Sequence, residues 1–155
     1  MKINRALSHR FPGKLLSVAP STLLLFAAAG SFPSQQQHHG VVRPLADVKF
    51  APDDDVKCLD STLENGDPAK GASTFILRAA PDCKVPLHYH SAEEQLIVVR
   101  GDVETGMEGL KPRVLQAGGF AMMPSKEKHW FNCKSKAGCL MFVTFDHAYD
   151  IFWVK

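Results

Sequence analysis

With 155 residues the chain has room for one domain and a leader or tail, and its 45% hydrophobic and 22% charged content is ordinary for a globular protein with a buried core. The formal net charge of +2 hides an asymmetry: Lys2, Arg5, Arg10 and Lys14 occupy the first thirty residues without one acid, and taking those four from 18 basic residues leaves 14 against 16 acidic ones. No basic patch or aromatic-interleaved basic run follows, which argues against nucleic acid as a partner.

Residues 1–30 read as a secretory signal. The four basic residues form its n-region, Leu15 to Ala29 its apolar segment, and Ala28-Ala29-Gly30 before Ser31 a small-residue cleavage site. The apolar stretch is interrupted by Ser17, Pro20, Ser21 and Thr22, and it falls short of the roughly 20 residues a spanning helix needs. The mature protein is therefore expected in the periplasm or outside the cell, without a membrane segment. Residues 31–40, S-F-P-S-Q-Q-Q-H-H-G, read as a flexible linker whose His38 and His39 are a solvated pair. A single domain then fills 41–155.

That domain opens with 41–50, where apolar residues take up strand-like alternation, and with a turn at Ala51–Asp55 whose three aspartates lack the spacing of a calcium loop. From Val56 onward short apolar runs alternate with turn signals roughly every 8–12 residues, the pattern of an all-β sandwich or barrel. Residues 64–71 read as a loop and 73–79 as a strand, with Phe75 and Leu77 on one face and Thr74, Ile76 and Arg78 on the other. Residues 80–86 read as a turn and Gln95–Arg100 as a strand, with 101–107 as its hairpin partner beyond Gly101. Further strand-like pieces are 114–119, 120–123, 129–133, 139–145 and 151–154. Cys139–Phe145 is apolar on both parities and is expected to be covered on both faces, inside a double-sheet core or at a subunit contact. No segment of the mature part shows helical periodicity.

Within Pro86–Gly101, P-L-H-Y-H-S-A-E-E-Q-L-I-V-V-R-G, two histidines stand at i and i+2. An extended chain turns such side chains to one face, and Glu94, Leu96 and Val98 share the parity. Two imidazoles and a carboxylate on a core face are a ligand set for zinc, manganese, iron, nickel or copper; a pair of surface histidines beside a polar turn is the plainer alternative. In Gly118–Cys133, G-G-F-A-M-M-P-S-K-E-K-H-W-F-N-C, a glycine permits a tight turn, Pro124 ends a strand, and a short return brings His129 back. Such a hairpin could return a third imidazole to the face of the first two.

Together the two stretches resemble the cupin superfamily. Its first motif, Gly-x5-His-x-His-x3,4-Glu-x6-Gly, is met by His88, His90, Glu94 and Gly101, with Asp82 in place of the leading glycine. Its second, Gly-x5-Pro-x-Gly-x2-His-x3-Asn, is met by Gly118, Pro124 and His129, with Lys126 in place of the turn glycine and Cys133 in place of the asparagine. The resemblance covers residues 41–155 and implies a conical double-stranded antiparallel β-barrel of the jelly-roll kind. It also implies a metal held by His88, His90, Glu94 and His129. Glu93 is the competing carboxylate, but Glu94 keeps both the parity and the gap to Gly101. A narrower similarity, to small single-domain bacterial cupins and the cupin part of ChrR-type anti-sigma factors, rests on the H-H-G-V-V opening and the G-D-P-A-K-G loop.

Four cysteines in an exported chain suggest disulfides, with three possible connectivities. Cys133 and Cys139 flank the K-S-K-A-G turn and form the favoured pair, leaving Cys58 with Cys83. Met107, Met122, Met123 and Met141 read as core filling rather than a copper set. Phe75, Phe120, Phe131 and Phe142 read as core or pocket wall. Arg78 reads as an exposed strand residue before an anion contact, and Asp146-His147 as a loop pair. The expected protein is an exported cupin with one divalent transition metal, whether Fe, Mn, Zn, Ni or Cu. It acts on a small molecule as a dioxygenase-like oxidoreductase, or takes a metal or ligand without turnover. A homodimer, with Ile151–Val154 as its candidate contact, completes the expectation. A sugar isomerase would need a dedicated base that the sequence does not place.

Overall fold

The computed structural model describes Gly40 to Lys155; the expected signal and the linker with His38 and His39 lie outside the described residues. Those described build an all-β protein, with one 3-10 turn at Leu45–Asp47. No helix among them is long and apolar enough to cross a membrane. The strands are β1 (Ala51–Pro52), β2 (Leu59–Gly66), β3 (Ser73–Ala79), β4 (Lys84–Tyr89), β5 (Glu94–Arg100), β6 (Val103–Met107), β7 (Arg113–Leu115), β8 (Phe120–Met123), β9 (His129–Cys133), β10 (Cys139–Phe145) and β11 (Phe152–Trp153). They form two antiparallel sheets, one ordered β1-β2-β3-β10-β5-β8 and the other β11-β4-β9-β6-β7.

The period of two does the sorting. In β5, Glu94, Leu96 and Val98 point inward while Gln95, Ile97 and Val99 face out. Leu96, Val98, Val103, Met141 and Val143 are 0–1% exposed and centre the core. Two disulfides staple the sheets to each other. Cys133–Cys139 joins the end of β9 to the start of β10, and Cys58–Cys83 joins the residue before β2 to the residue before β4.

Several boundaries and pairings differ from the sequence reading. The strand-like pattern of 41–50 is realised as the 3-10 turn, and strand pairing begins only at Ala51. Glu64–Gly66 belong to β2, because Gly66 still pairs with Ser73. Lys84–Pro86 belong to β4, whose register shifts between Val85 and His88 and so accommodates Pro86. Residues 101–107 are not the hairpin partner of β5. Gly101, at φ 90°, turns the chain into the opposite sheet, where β6 pairs with β9 and β7. A side chain at Gly101 would place its Cβ 2.8 Å from the Gly138 carbonyl oxygen. The 124–128 turn likewise crosses between sheets, since β8 pairs with β5 and β9 with β4. Within the single chain Cys139–Phe145 is covered on one face only, so it is not enclosed in a double-sheet core: Phe142 is 37% exposed on the outer side. Phe120 is also exposed, so neither of these rings is core, although Phe120 lines a surface cavity beside Met107 and Leu115, away from the histidines.

Among the described residues, the two non-glycine residues with positive φ are Asp82 (57°) and Lys126 (64°). They stand where the motifs would carry glycine, so the turn geometry survives both replacements. Aspartate tolerates this conformation through local hydrogen bonding; lysine does not share that advantage. A left-handed residue other than glycine costs about 1–2 kcal/mol, and the extra chain entropy of glycine returns about 0.5–1. Lys126 is solvent-exposed, so no packing is lost on its removal. Lys126→Gly is therefore expected to raise stability by up to about 1 kcal/mol in urea unfolding, and a clear loss would show that the turn is not strained.

Candidate metal centre

His88 comes from β4 and sits directly opposite His129, the first residue of β9. His90 follows β4 at i+2, and Glu94 opens β5 in the other sheet. The four side chains therefore meet where the sheets adjoin. They are 3–6% exposed, and one ligand atom from each lies within 4.8 Å of all the others, a span one ion can bridge.

The ring orientations are held from behind. His88 Nδ1 donates to the Pro86 carbonyl at 2.7 Å, His129 Nδ1 to the Glu127 carbonyl at 2.8 Å, and His90 Nδ1 to the Asp150 carbonyl. A proton fixed on each Nδ1 leaves each Nε2 to face inward as the available donor atom. The Nε2 atoms of His129 and His90 approach the same Glu94 oxygen, at 3.0 and 3.2 Å.

Burial pushes the His88 pKa down to about 4, and the neighbouring His129 adds to the fall. Burial alone would raise Glu94, but hydrogen bonds from His129 and His90 outweigh it and draw the carboxyl down to about 2. His90 is raised: burial works against the shift, and its hydrogen bond to Glu94 carries it. A neutral imidazole at His88 and an ionised carboxylate at Glu94 are the states a metal requires of its ligands. Three imidazole nitrogens and one carboxylate oxygen suit a borderline divalent ion and do not choose among zinc, copper, iron, nickel and manganese.

Glu93, the competing carboxylate, turns aside: it accepts from Gln95 Nε2 at 2.9 Å, and its backbone N–H donates to Asp146. Arg78 lies on the outer face of β3, paired with Asp60 and over the Phe50 ring at 4.5 Å, away from the site. Asp146 and His147 form an exposed ion pair at 2.8 Å. None of the four methionines weighed above lines the cavity beside the histidines, whereas Phe75 and Phe131 do. That cavity, of about 80 Å³, is bounded by His88, His90 and Glu94 on one side and by largely apolar groups elsewhere.

Sequence reasoning missed the C-terminal strap. Asp150 accepts from the Ser91 N–H at 2.7 Å, besides holding His90 through its carbonyl. Asp146 accepts from the Glu93 N–H at 2.8 Å. Tyr149 packs its ring 5.4 Å from that of His90 and donates its hydroxyl proton to Asp55 at 3.1 Å. Burial first, then Asp55, raises the Tyr149 phenol well above its ordinary range. Trp153, on β11, lies 5.4 Å from the His88 ring. The only hint in the sequence was the D-H-A-Y-D run, whose spacing matches no ligand motif.

The cupin domain family, by its sequence profile, matches residues 75–145. No curated protein sequence matches significantly. Among solved structures, the polyketide cyclase RemF from Streptomyces resistomycificus aligns with TM-score 0.65 at 18% identity, over 77% of this chain and 87% of the cyclase. An RmlC-like cupin from Shewanella frigidimarina aligns with TM-score 0.57 at 17% identity, over 70% and 91%. The DMSP lyase DddQ from Ruegeria pomeroyi aligns with TM-score 0.56 at 19% identity over 63% of this chain, which spans only 52% of that lyase. The chain belongs to the cupin superfamily. The matches reach the superfamily and not the narrower ChrR-type group.

Two outcomes follow from the geometry. Asp150→Ala frees the Ser91 N–H and loosens the carbonyl that orients His90; metal affinity is expected to fall by about tenfold or more with the fold intact, read by competition with a chromogenic chelator. In metal-free protein, His88 has a folded pKa of about 4 against an ordinary 6.5. Its contribution is therefore present above pH 6.5 and lost as pH falls toward 4, where the unfolded chain binds a proton that the folded one excludes. His88→Gln is expected to flatten the fall in stability across that window by up to about 1.4 kcal/mol per pH unit. Equal slopes for the two proteins would contradict the assignment.

Proposed function

We propose that the chain holds one divalent transition metal on His88, His90, Glu94 and His129 and uses it in dioxygenase-like oxidation of a small molecule seated in the adjoining cavity. The observation that carries the reading is the convergence of four buried donor atoms within 4.8 Å beside a cavity. Bound there, such an ion with a free coordination position would supply Lewis acidity or a place for oxygen or water. The protein's own part is to present three Nε2 atoms of fixed tautomer and to keep bulk water out with the apolar wall.

Structural neighbours bear the names of a DMSP lyase, a polyketide cyclase and an oxalate decarboxylase. These are different chemistries on one scaffold, so the fold does not choose the reaction. A second reading, binding or sensing without turnover, is favoured by the predominantly apolar character of the cavity wall, to which Val56, Leu59, Leu77 and Val85 contribute. Export to the periplasm or beyond belongs to the same proposal and is supported by the two disulfides, which persist in oxidising compartments. So does a homodimer, for which β11 offers an edge strand paired only with β4 among the described residues.

The test is oxygen consumption by iron-loaded protein across a panel of diphenols and thiols. Uptake that vanishes in His129→Ala is expected for the oxidoreductase. Tight binding of a panel member with no uptake at all would transfer the site to the binding reading.

A further inference from the structure

The walls beside the histidines are uneven in charge. Among the described residues that line the cavity there is no lysine or arginine. Arg78, the cation that the sequence offered for an anionic ligand, is committed to Asp60 on the outside of the sheet. The charged side chains that do line it are two carboxylates, Glu94 in the ligand set and Asp53 on the wall contributed by the turn after β1. Asp53 Oδ1 is locked by the backbone N–H groups of Val56 at 3.0 Å and Asp55 at 3.1 Å. Its negative charge is therefore built into the fold rather than carried on a free side chain. Asp55 adds a second carboxylate next to it, held by the Tyr149 hydroxyl. The rest of the wall near them is hydrocarbon, including Phe75, Phe145 and Ile151.

These facts set what can enter. An ion on three neutral imidazoles and one carboxylate keeps a net positive charge, so one anionic donor atom of a ligand is welcome at the metal position. A second anionic group would meet hydrocarbon and the Asp53 carboxylate, with no cation to replace its hydration, and burying an unpaired charge is strongly unfavourable. We propose that the cavity takes a small, largely apolar molecule with one metal-binding group and no second anionic group, and that Asp53 is the residue that turns dianionic ligands away. This rests on the metal-holding reading of the four ligands, and it narrows the substrate to neutral or monoanionic compounds such as simple phenols, thiols or monoacids.

Cobalt(II)-loaded protein tests it. Cobalt uptake, measured first and compared with His129→Ala, reports on the metal centre alone. The loaded protein is then titrated with benzohydroxamates carrying either a carboxamide or a carboxylate at the 4-position, which match in size and differ in charge. The change in the visible cobalt spectrum reports binding. The carboxamide is expected to bind at least about tenfold more tightly than the carboxylate. Asp53→Asn, which keeps the oxygen that accepts the two backbone N–H groups, is expected to narrow that gap several-fold with an unchanged melting temperature. Cobalt bound at one equivalent with the two compounds equal, the carboxylate preferred, neither compound held, or the gap unmoved in Asp53→Asn would overturn the proposal while leaving the metal centre standing. Failure of cobalt to bind would remove both.

Discussion

Three backbone carbonyls, those of Pro86, Glu127 and Asp150, are what the site depends on. Each accepts the Nδ1 proton of one ligand histidine. A buried imidazole without such a partner would carry an unsatisfied donor and a ring free to rotate. With it, the ring is both satisfied and aimed. Two of the carbonyls lie two residues before the histidine they hold, so the adjoining chain supplies them locally, from β4 for Pro86 and from the turn before β9 for Glu127. The third lies sixty residues away in sequence, which makes the C-terminal strap a structural part of the centre.

The centre also answers a mechanical need. The ligands come from both sheets, with His88 and His129 on one and Glu94 on the other. At the far ends of β9 and β10, the Cys133–Cys139 disulfide already ties those sheets together. His129 stands at the opposite end of β9 from Cys133, and Phe145, at the opposite end of β10 from Cys139, packs its ring 5.1 Å from His90. A metal bridging the four ligands would clamp the open end as the disulfide clamps the closed one. Metal binding and stability are then coupled by mass action.

Much of this was legible in the residue pattern, for a physical reason. Parity in an extended chain is insensitive to tertiary context, so His88 and His90 could be put on one side of the chain from spacing alone, whereas Glu94 reaches them from β5 in the facing sheet, across a turn at 90–93 that the same parity reading ran straight through. The same property hid the crossings. A period of two looks alike whichever sheet a strand joins, so 101–107 read as a hairpin partner of β5 when Gly101 in fact turns the chain into the other sheet. Lys126 shows a related limit: its side chain says lysine, but its backbone is that of the glycine it replaces. Tyr149, Asp150 and Asp53 were invisible as site residues because their roles come from tertiary contacts across long stretches of chain.

The most direct measurement is metal content, by inductively coupled plasma mass spectrometry, on protein purified from its natural compartment beside a His88→Ala/His129→Ala variant. About one equivalent of a single transition metal in the wild type, lost in a variant that still gives a β-sheet circular dichroism spectrum, is the result this account requires. Wild type and variant equally empty, or equally loaded, would contradict it and leave the four side chains as a buried polar cluster without an ion.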